Sequence, residues 1–153
     1  MATSPAAQLR RHYALIAKDL IAPLVEVLAA GRAAFGGDLD KLLITFVVAL
    51  RTAEDKRVID LDLEDVLRGE VTTYPSLYTN VRSIADSTGI PKETVRRKVA
   101  DLVAQGWIQR DGNGLSLTTL ATRMLTDVRE PMLQQALRNS ETVQTAMTAP
   151  PRR

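Results

Sequence analysis

The stretch GIPKETVRRKVADLVAQGWI, residues 89–108, carries two patterns at once. Val95, Val99, Leu102 and Val103 recur at intervals of three and four, the spacing of one buried helical face. Around that skeleton stand Lys92, Arg96, Arg97 and Lys98, which are either a solvated face or a surface shaped to enter a groove of DNA. The ends of the helix are signalled independently. Pro91 at a first helical position gives up only an N–H that has no partner within the helix, Glu93 in the first turn complements the helix dipole, and Gly106 closes the last turn. The spacing predicts a helix over 91–105.

Working outward, the residues before it predict a second helix from about Asn80 to Thr88 with a turn at Gly89 and Ile90. Ile84, Ala85, Gly89, Ile90 and Val95 are the skeleton of a helix-turn-helix: a small residue where the helices touch, and a glycine where the turn favours a left-handed backbone that a side chain would oppose. On the other side, Trp107 to Arg110 reads as a short strand. DGNG at 111–114 supplies the residues of a tight hairpin, and Leu115 to Thr118 returns. A small two-stranded wing is expected. Trp107 is read as a core anchor between helix and strand rather than a ligand platform.

The rest of the chain reads as helix. Leu9, Tyr13, Ile16, Leu20, Leu24 and Leu28 mark one buried face, interrupted by Pro23, so residues 6–31 form one kinked helix or two helices meeting near Ala22; the kink is favoured. GRAAFGGD makes a connection, and Asp38 caps a helix from Leu39 to about Ala53 that is apolar on most of its circumference and belongs in a core or between subunits. Between Asp55 and Thr79 the pattern fits a short helix or an extended piece, with a helix expected near Leu63 to Arg68. Leu117, Leu120, Met124, Leu125, Val128, Met132, Leu133 and Leu137 predict a C-terminal helix kinked at Pro131. From Ser140 little is left that could bury surface, and a frayed tail is expected.

The expected fold is therefore mainly α: a winged helix-turn-helix with a small two-stranded β-wing and additional N- and C-terminal helices forming a dimerisation region. Its parts are N-terminal helices (1–54), an acidic connecting segment (55–79), the winged unit (80–118), a C-terminal helix (119–139) and a flexible tail (140–153).

At 153 residues the chain fits one domain with a real core, and its formal charge of +2 is too small to identify an anionic partner by itself. The distribution says more. Arg82 to Arg110 holds six cations and three anions, a net +3, while Glu54 to Glu70 holds seven acids and three bases, a net −4. The absence of cysteine excludes disulfides, cysteine-based zinc sites and thiol catalysis. His12 is the single histidine, without a second ligand beside it, and is read as a surface or interface residue. The longest apolar run, LLITFVVAL at 42–50, is far shorter than the roughly 20 residues of a membrane helix, and the start lacks a signal peptide's apolar core. A soluble cytoplasmic protein without a membrane role is expected. With no Gly-rich phosphate loop and no nucleophile or metal constellation, neither an enzyme nor a cofactor is expected.

IPKETVRRKVADLVAQGWI followed by a hairpin resembles the recognition helix and wing of bacterial winged helix-turn-helix regulators, especially the MarR type and the DNA-binding domain of the catabolite-activator type. The resemblance covers roughly Asn80 to Thr118 and rests on Ala85, Gly89, Val95, Leu102, Gly106, Ile108 and the DGNG turn. Nothing in residues 1–79 alternates like the strands of a cyclic-nucleotide domain, whereas the MarR type has flanking helices that build a dimer. The chain departs from that type in the acidic, proline-containing segment from Asp55 to Thr79. The resemblance implies a transcriptional regulator acting as a homodimer on an inverted repeat in double-stranded DNA. It also implies an effector site of the kind MarR-type regulators use for small molecules, although no residue cluster names one.

Geometry and resemblance together suggest roles. With the valines and Leu102 inward, the outward residues near the N-terminal half are Lys92, Glu93, Arg96 and Arg97, the part of this motif that reaches base edges. The triplet Lys92, Glu93, Thr94 and the following Arg97 resemble the catabolite-activator helix, which assigns Glu93 and Arg97 to bases and Lys92 to a base or a phosphate; arginine can grip guanine and glutamate can accept from cytosine. Arg82, Ser83, Thr94 and Arg96 are candidates for the DNA backbone, and Arg110 and Asn113 for contacts from the wing. Two plainer readings stand beside this one: Glu93 and Arg97 as an i,i+4 pair on a solvated face, and a winged helix that docks proteins rather than DNA.

Overall fold

A computed structural model describes residues 4–150. These residues are mainly helical, with one two-stranded antiparallel sheet, and divide into two compact units: residues 32–126, and the helical segments on either side of them.

Residues 32–126 are built on α3 (Leu39–Ala53), α4 (Leu63–Leu67), α5 (Val81–Thr88), α6 (Lys92–Ala104), β1 (Ile108–Asp111), β2 (Gly114–Leu117) and α7 (Thr119–Met124). Asp38 caps α3 as the sequence predicts, its carboxylate accepting from the Lys41 N–H at 3.1 Å. Asn80 does the same for α5 with Ser83 N–H at 3.0 Å. The core is one apolar layer gathered from α3 (Ile44, Val48), α5 (Ile84), α6 (Val95, Val99, Leu102) and the hairpin (Ile108, Leu115), all fully buried. Each such side chain contributes roughly 1.5–3 kcal/mol by leaving water. α3, expected to belong with the N-terminal helices, packs instead on α5, α6 and β2, which is where a helix apolar on most of its circumference finds cover.

The expected hairpin forms with its strands one residue closer to the tip than expected, pairing Ile108 with Leu117 and Asp111 with Gly114 so that Gly112 and Asn113 make the turn. The acidic segment does more than connect. It holds a 3₁₀ turn (Lys56–Val58) and α4, and its last residue before the Asn80 cap, Thr79, pairs with Leu115 through two backbone hydrogen bonds of 3.1 and 2.8 Å. Trp107 is half-buried and meets the ring of buried Phe35 edge-on, centroids 5.0 Å apart, as a core anchor should.

The second unit comprises α1 (Pro5–Arg11), the larger part of α2 (Tyr13–Ala34) and α8 (Thr126–Thr148). Three expectations are corrected here. The single helix expected over residues 6–31 is broken at His12, and α2 runs through Pro23 as one helix, so two helices do not meet near Ala22. His12 is buried at this break, not on a surface. The buried stripe of α2 is Ile16, Pro23, Val27 and Gly31, while Tyr13, Leu24 and Leu28 are exposed. The helix carries two overlapping apolar stripes, and periodicity alone does not choose between them.

At the other end, the predicted single helix is two, α7 and α8, separated at Leu125, with Thr118 capping α7 and Leu117 placed in β2. The frayed tail from Ser140 is also corrected. α8 continues through Pro131 to Thr148, and Thr142 and Ala146 are buried. Small residues pack closely without producing the Leu/Ile/Val periodicity by which helices are read. The last three residues of the expected tail lie outside the described residues. No helix among the described residues is long and apolar enough to cross a membrane.

Candidate nucleic-acid interface

α5 and α6 are joined by a turn locked from several directions. Gly89 sits at φ +72° and its N–H donates to Ala85 O at 2.9 Å; the Thr88 hydroxyl donates to Ile84 O at 2.7 Å and accepts from the Ile90 N–H at 3.2 Å; and Ile90 is buried. A side chain at Gly89 would meet no obstacle, so its requirement is conformational, the left-handed backbone itself. Pro91, expected as the first helical residue, stands instead as the cap residue one position before the helix begins at Lys92, and offers no side-chain cap.

With Val95, Val99 and Leu102 fully buried, α6 turns Lys92, Glu93, Arg96 and Arg97 to solvent, and Thr94 is half-buried at the margin. Arg82 and Ser83 are exposed on α5, Arg110 on β1 and Asn113 at the hairpin tip. The exposure of these sequence-selected residues is therefore as expected, with one margin case, and their pairing is not. Glu93 binds Arg96 at 2.9 Å, three residues on, rather than Arg97. That hydrogen bond also raises the Arg96 pKa. Arg82 lies 3.8 Å from Asp86, both well exposed. Lys92 and Arg97 have no ion-pair partner among the described residues, so their donors are available to a ligand.

Lys98 has a different place from its neighbours in RRK. Its ammonium, 13% exposed, donates to both carboxylate oxygens of Asp38 at 2.6 and 2.5 Å and lies 3.4 Å from Asp40. Lys41 on α3 answers with Asp101 on α6 at 2.9 Å. Burial pushes the Asp38 carboxyl up, but the hydrogen bonds from Lys98 and the Lys41 N–H outweigh it and hold the pKa below its ordinary value; the same bond holds the Lys98 ammonium above its own. One face of α6 is thus clasped to the first turn of α3 by reciprocal pairs, while the adjacent face presents cations outward. Sequence reasoning missed this clasp, because its partners lie 60 residues apart and the only local signal, Asp38, is fully explained as a cap.

Chemically the exposed set offers two guanidiniums and an ammonium on α6, a guanidinium on α5 and another on the hairpin, with amide and hydroxyl groups between them. Such groups suit phosphate oxygens and purine edges. Among the described residues no group of three or more His, Cys, Asp or Glu side chains could hold a metal ion. Comparison with protein-family models, curated proteins and solved structures finds no match for this chain.

Proposed function

We propose that this chain is a bacterial, cytoplasmic transcriptional regulator, not an enzyme, that binds duplex DNA sequence-specifically as a homodimer on an inverted-repeat operator. The order α3, Thr79 bridge, α5, Gly89 turn, α6, hairpin is read as a winged helix-turn-helix of the MarR-like kind, with α6 as the recognition helix. The observation that carries the reading is the N-terminal half of α6. It stands clear of a fully buried core with Lys92 and Arg97 unpaired on its outer side, directly after a rigid turn and before a hairpin that carries Arg110 and Asn113.

In this reading Arg97 and Glu93 face bases, Lys92 a base or a phosphate, and Arg82, Ser83, Thr94 and Arg96 the backbone. Glu93 must exchange Arg96 for its base partner on binding, which makes Arg97 the stronger reader of the two. The homodimer is supported by apolar surface. Six large apolar side chains on α2 and four on α8 stand between 43% and 66% exposed, an area on the order of the ~800 Å² each partner gives to a stable interface. Recognition helices of such a dimer enter successive major grooves about 34 Å apart.

Selection of the purified protein on randomised duplexes, followed by a salt titration of the winner, tests the reading. The expected result is an enriched inverted repeat with half-sites about 10 base pairs apart, and an affinity that falls steeply as salt rises. No enrichment, with weak and salt-insensitive binding, would favour a protein-docking module instead.

A further inference from the structure

Within residues 32–126, the stretch around α4 is the most acidic of the chain, yet it borders a cleft whose lining contains no carboxylate. The cleft has a volume of about 550 Å³ and is walled by Arg68 and Gly69 after α4, Thr72, Gln109 of β1, and Thr119 and Arg123 of α7. Its walls are tied together. The Thr119 hydroxyl donates to Thr72 O at 3.1 Å, and beside it the Tyr74 hydroxyl donates to Thr122 Oγ1 at 2.8 Å. These bonds fix the segment before α5 against α7, so the cleft is a built feature of the fold.

One group here lacks what its chemistry requires. The Arg123 guanidinium is half-buried and has neither an ion pair nor a side-chain hydrogen bond among the described residues. It lies against the bare backbone of Gly69, whose φ of +79° favours glycine, and a Cβ there would stand 3.7 Å from Arg123 Nη1. Arg68 on the facing wall is held in place by Asp65 and Glu70, which keep its guanidinium oriented and raise its pKa. A half-buried guanidinium without a partner is costly, and an anion accepting from it forms the strongest class of hydrogen bond available to a protein.

We propose that this cleft binds the anionic group of a small molecule, a phosphate or a carboxylate, through Arg123, with Arg68 and the Gln109 amide as further donors. Because Gln109 lies on β1 next to Arg110, an occupant would bridge the hairpin to the residues after α4 and to α7. The inference stands on the cleft alone and does not depend on the DNA reading.

The test is a titration of the full chain with inorganic phosphate and, separately, acetate, at constant ionic strength, followed by backbone-amide NMR. The expected result is saturable shifts at Gly69, Thr72, Gln109 and Thr119 with a millimolar midpoint, lost by tenfold or more in Arg123→Gln while the remaining resonances keep their positions. Arg123→Lys should retain part of the binding, which a merely structural role would not require. Saturation by phosphate alone or by acetate alone identifies which anion the cleft accepts. Shifts confined to the amides of α6, no saturation with either anion, or unchanged binding in Arg123→Gln would overturn the proposal.

Discussion

The two units of this chain solve the problem of apolar surface differently. In residues 32–126, helices of 15 residues or fewer and a hairpin of two four-residue strands bring Ile44, Val48, Ile84, Val95, Val99, Leu102 and Leu115 to complete burial. On α2 and α8, helices of 22 and 23 residues bury far less: Ile21, Leu24, Val25 and Leu28 form an exposed stripe on one, and Met132, Leu133 and Leu137 stand exposed on the other. Long helices supply more apolar side chains than two or three of them can cover between themselves. The first unit seals a core while leaving Leu50 and Ile59 exposed at its surface, whereas the long helices of the second leave whole apolar stripes uncovered.

That contrast can be broken at its strongest point. Leu102→Ala empties part of the sealed core and should cost about 2–5 kcal/mol in chemical denaturation. Leu24→Ala, on an exposed stripe, should cost well under half of that, and equal losses would erase the distinction between the units. In sedimentation, the wild type should be dimeric at micromolar concentration, and Leu24→Glu with Leu137→Glu should raise the dissociation constant tenfold or more, about 1.4 kcal/mol. A wild type that sediments only as monomer would assign the exposed stripes another purpose.

A smaller effect separates the cations of α6 from one another. Lys98→Met leaves Asp38 without its partner and should lower stability by about 1 kcal/mol, given that the pair is only partly buried, while the salt dependence of DNA binding stays unchanged. Arg96→Ala should do the reverse, leaving stability nearly intact and reducing the salt slope by about 1.

The smallest effect is a pH dependence. Asp55, buried and gripped by the Arg57 side chain and backbone N–H, has its carboxyl lowered from 3.8 to about 2. A lowered carboxyl stabilises the folded state fully above the unfolded value and loses that contribution as pH falls through the folded one. Thermal midpoints of the wild type should therefore decline between pH 3.8 and about 2, and the decline should be shallower in Asp55→Asn.

What the sequence disclosed follows from how local each feature is. The Asp38 cap, the start of α5 at about Asn80, the Gly89 turn, the end of α6 at Gly106 and the DGNG hairpin are each written within a few residues, and their boundaries were legible to within a residue or two. The break at His12 carries no proline or glycine, and Pro23, which does signal a break, is absorbed in a continuous helix. The end of α8 is packed through Thr142 and Ala146, side chains too small to mark a hydrophobic face. At the proposed interface, exposure followed from the period of Val95, Val99 and Leu102. Pairing did not, because Arg96 reached Glu93 before Arg97 could and Lys98 found partners across the fold.

The most direct test of the central claim is the affinity of Arg97→Ala and Arg96→Ala for the selected operator and for a random duplex, measured side by side at one salt concentration. If α6 reads sequence, Arg97→Ala loses about 1–3 kcal/mol on the operator and little on random DNA, while Arg96→Ala weakens both alike. Equal losses on both duplexes for both variants would contradict base reading by Arg97 and reduce α6 to a charged surface.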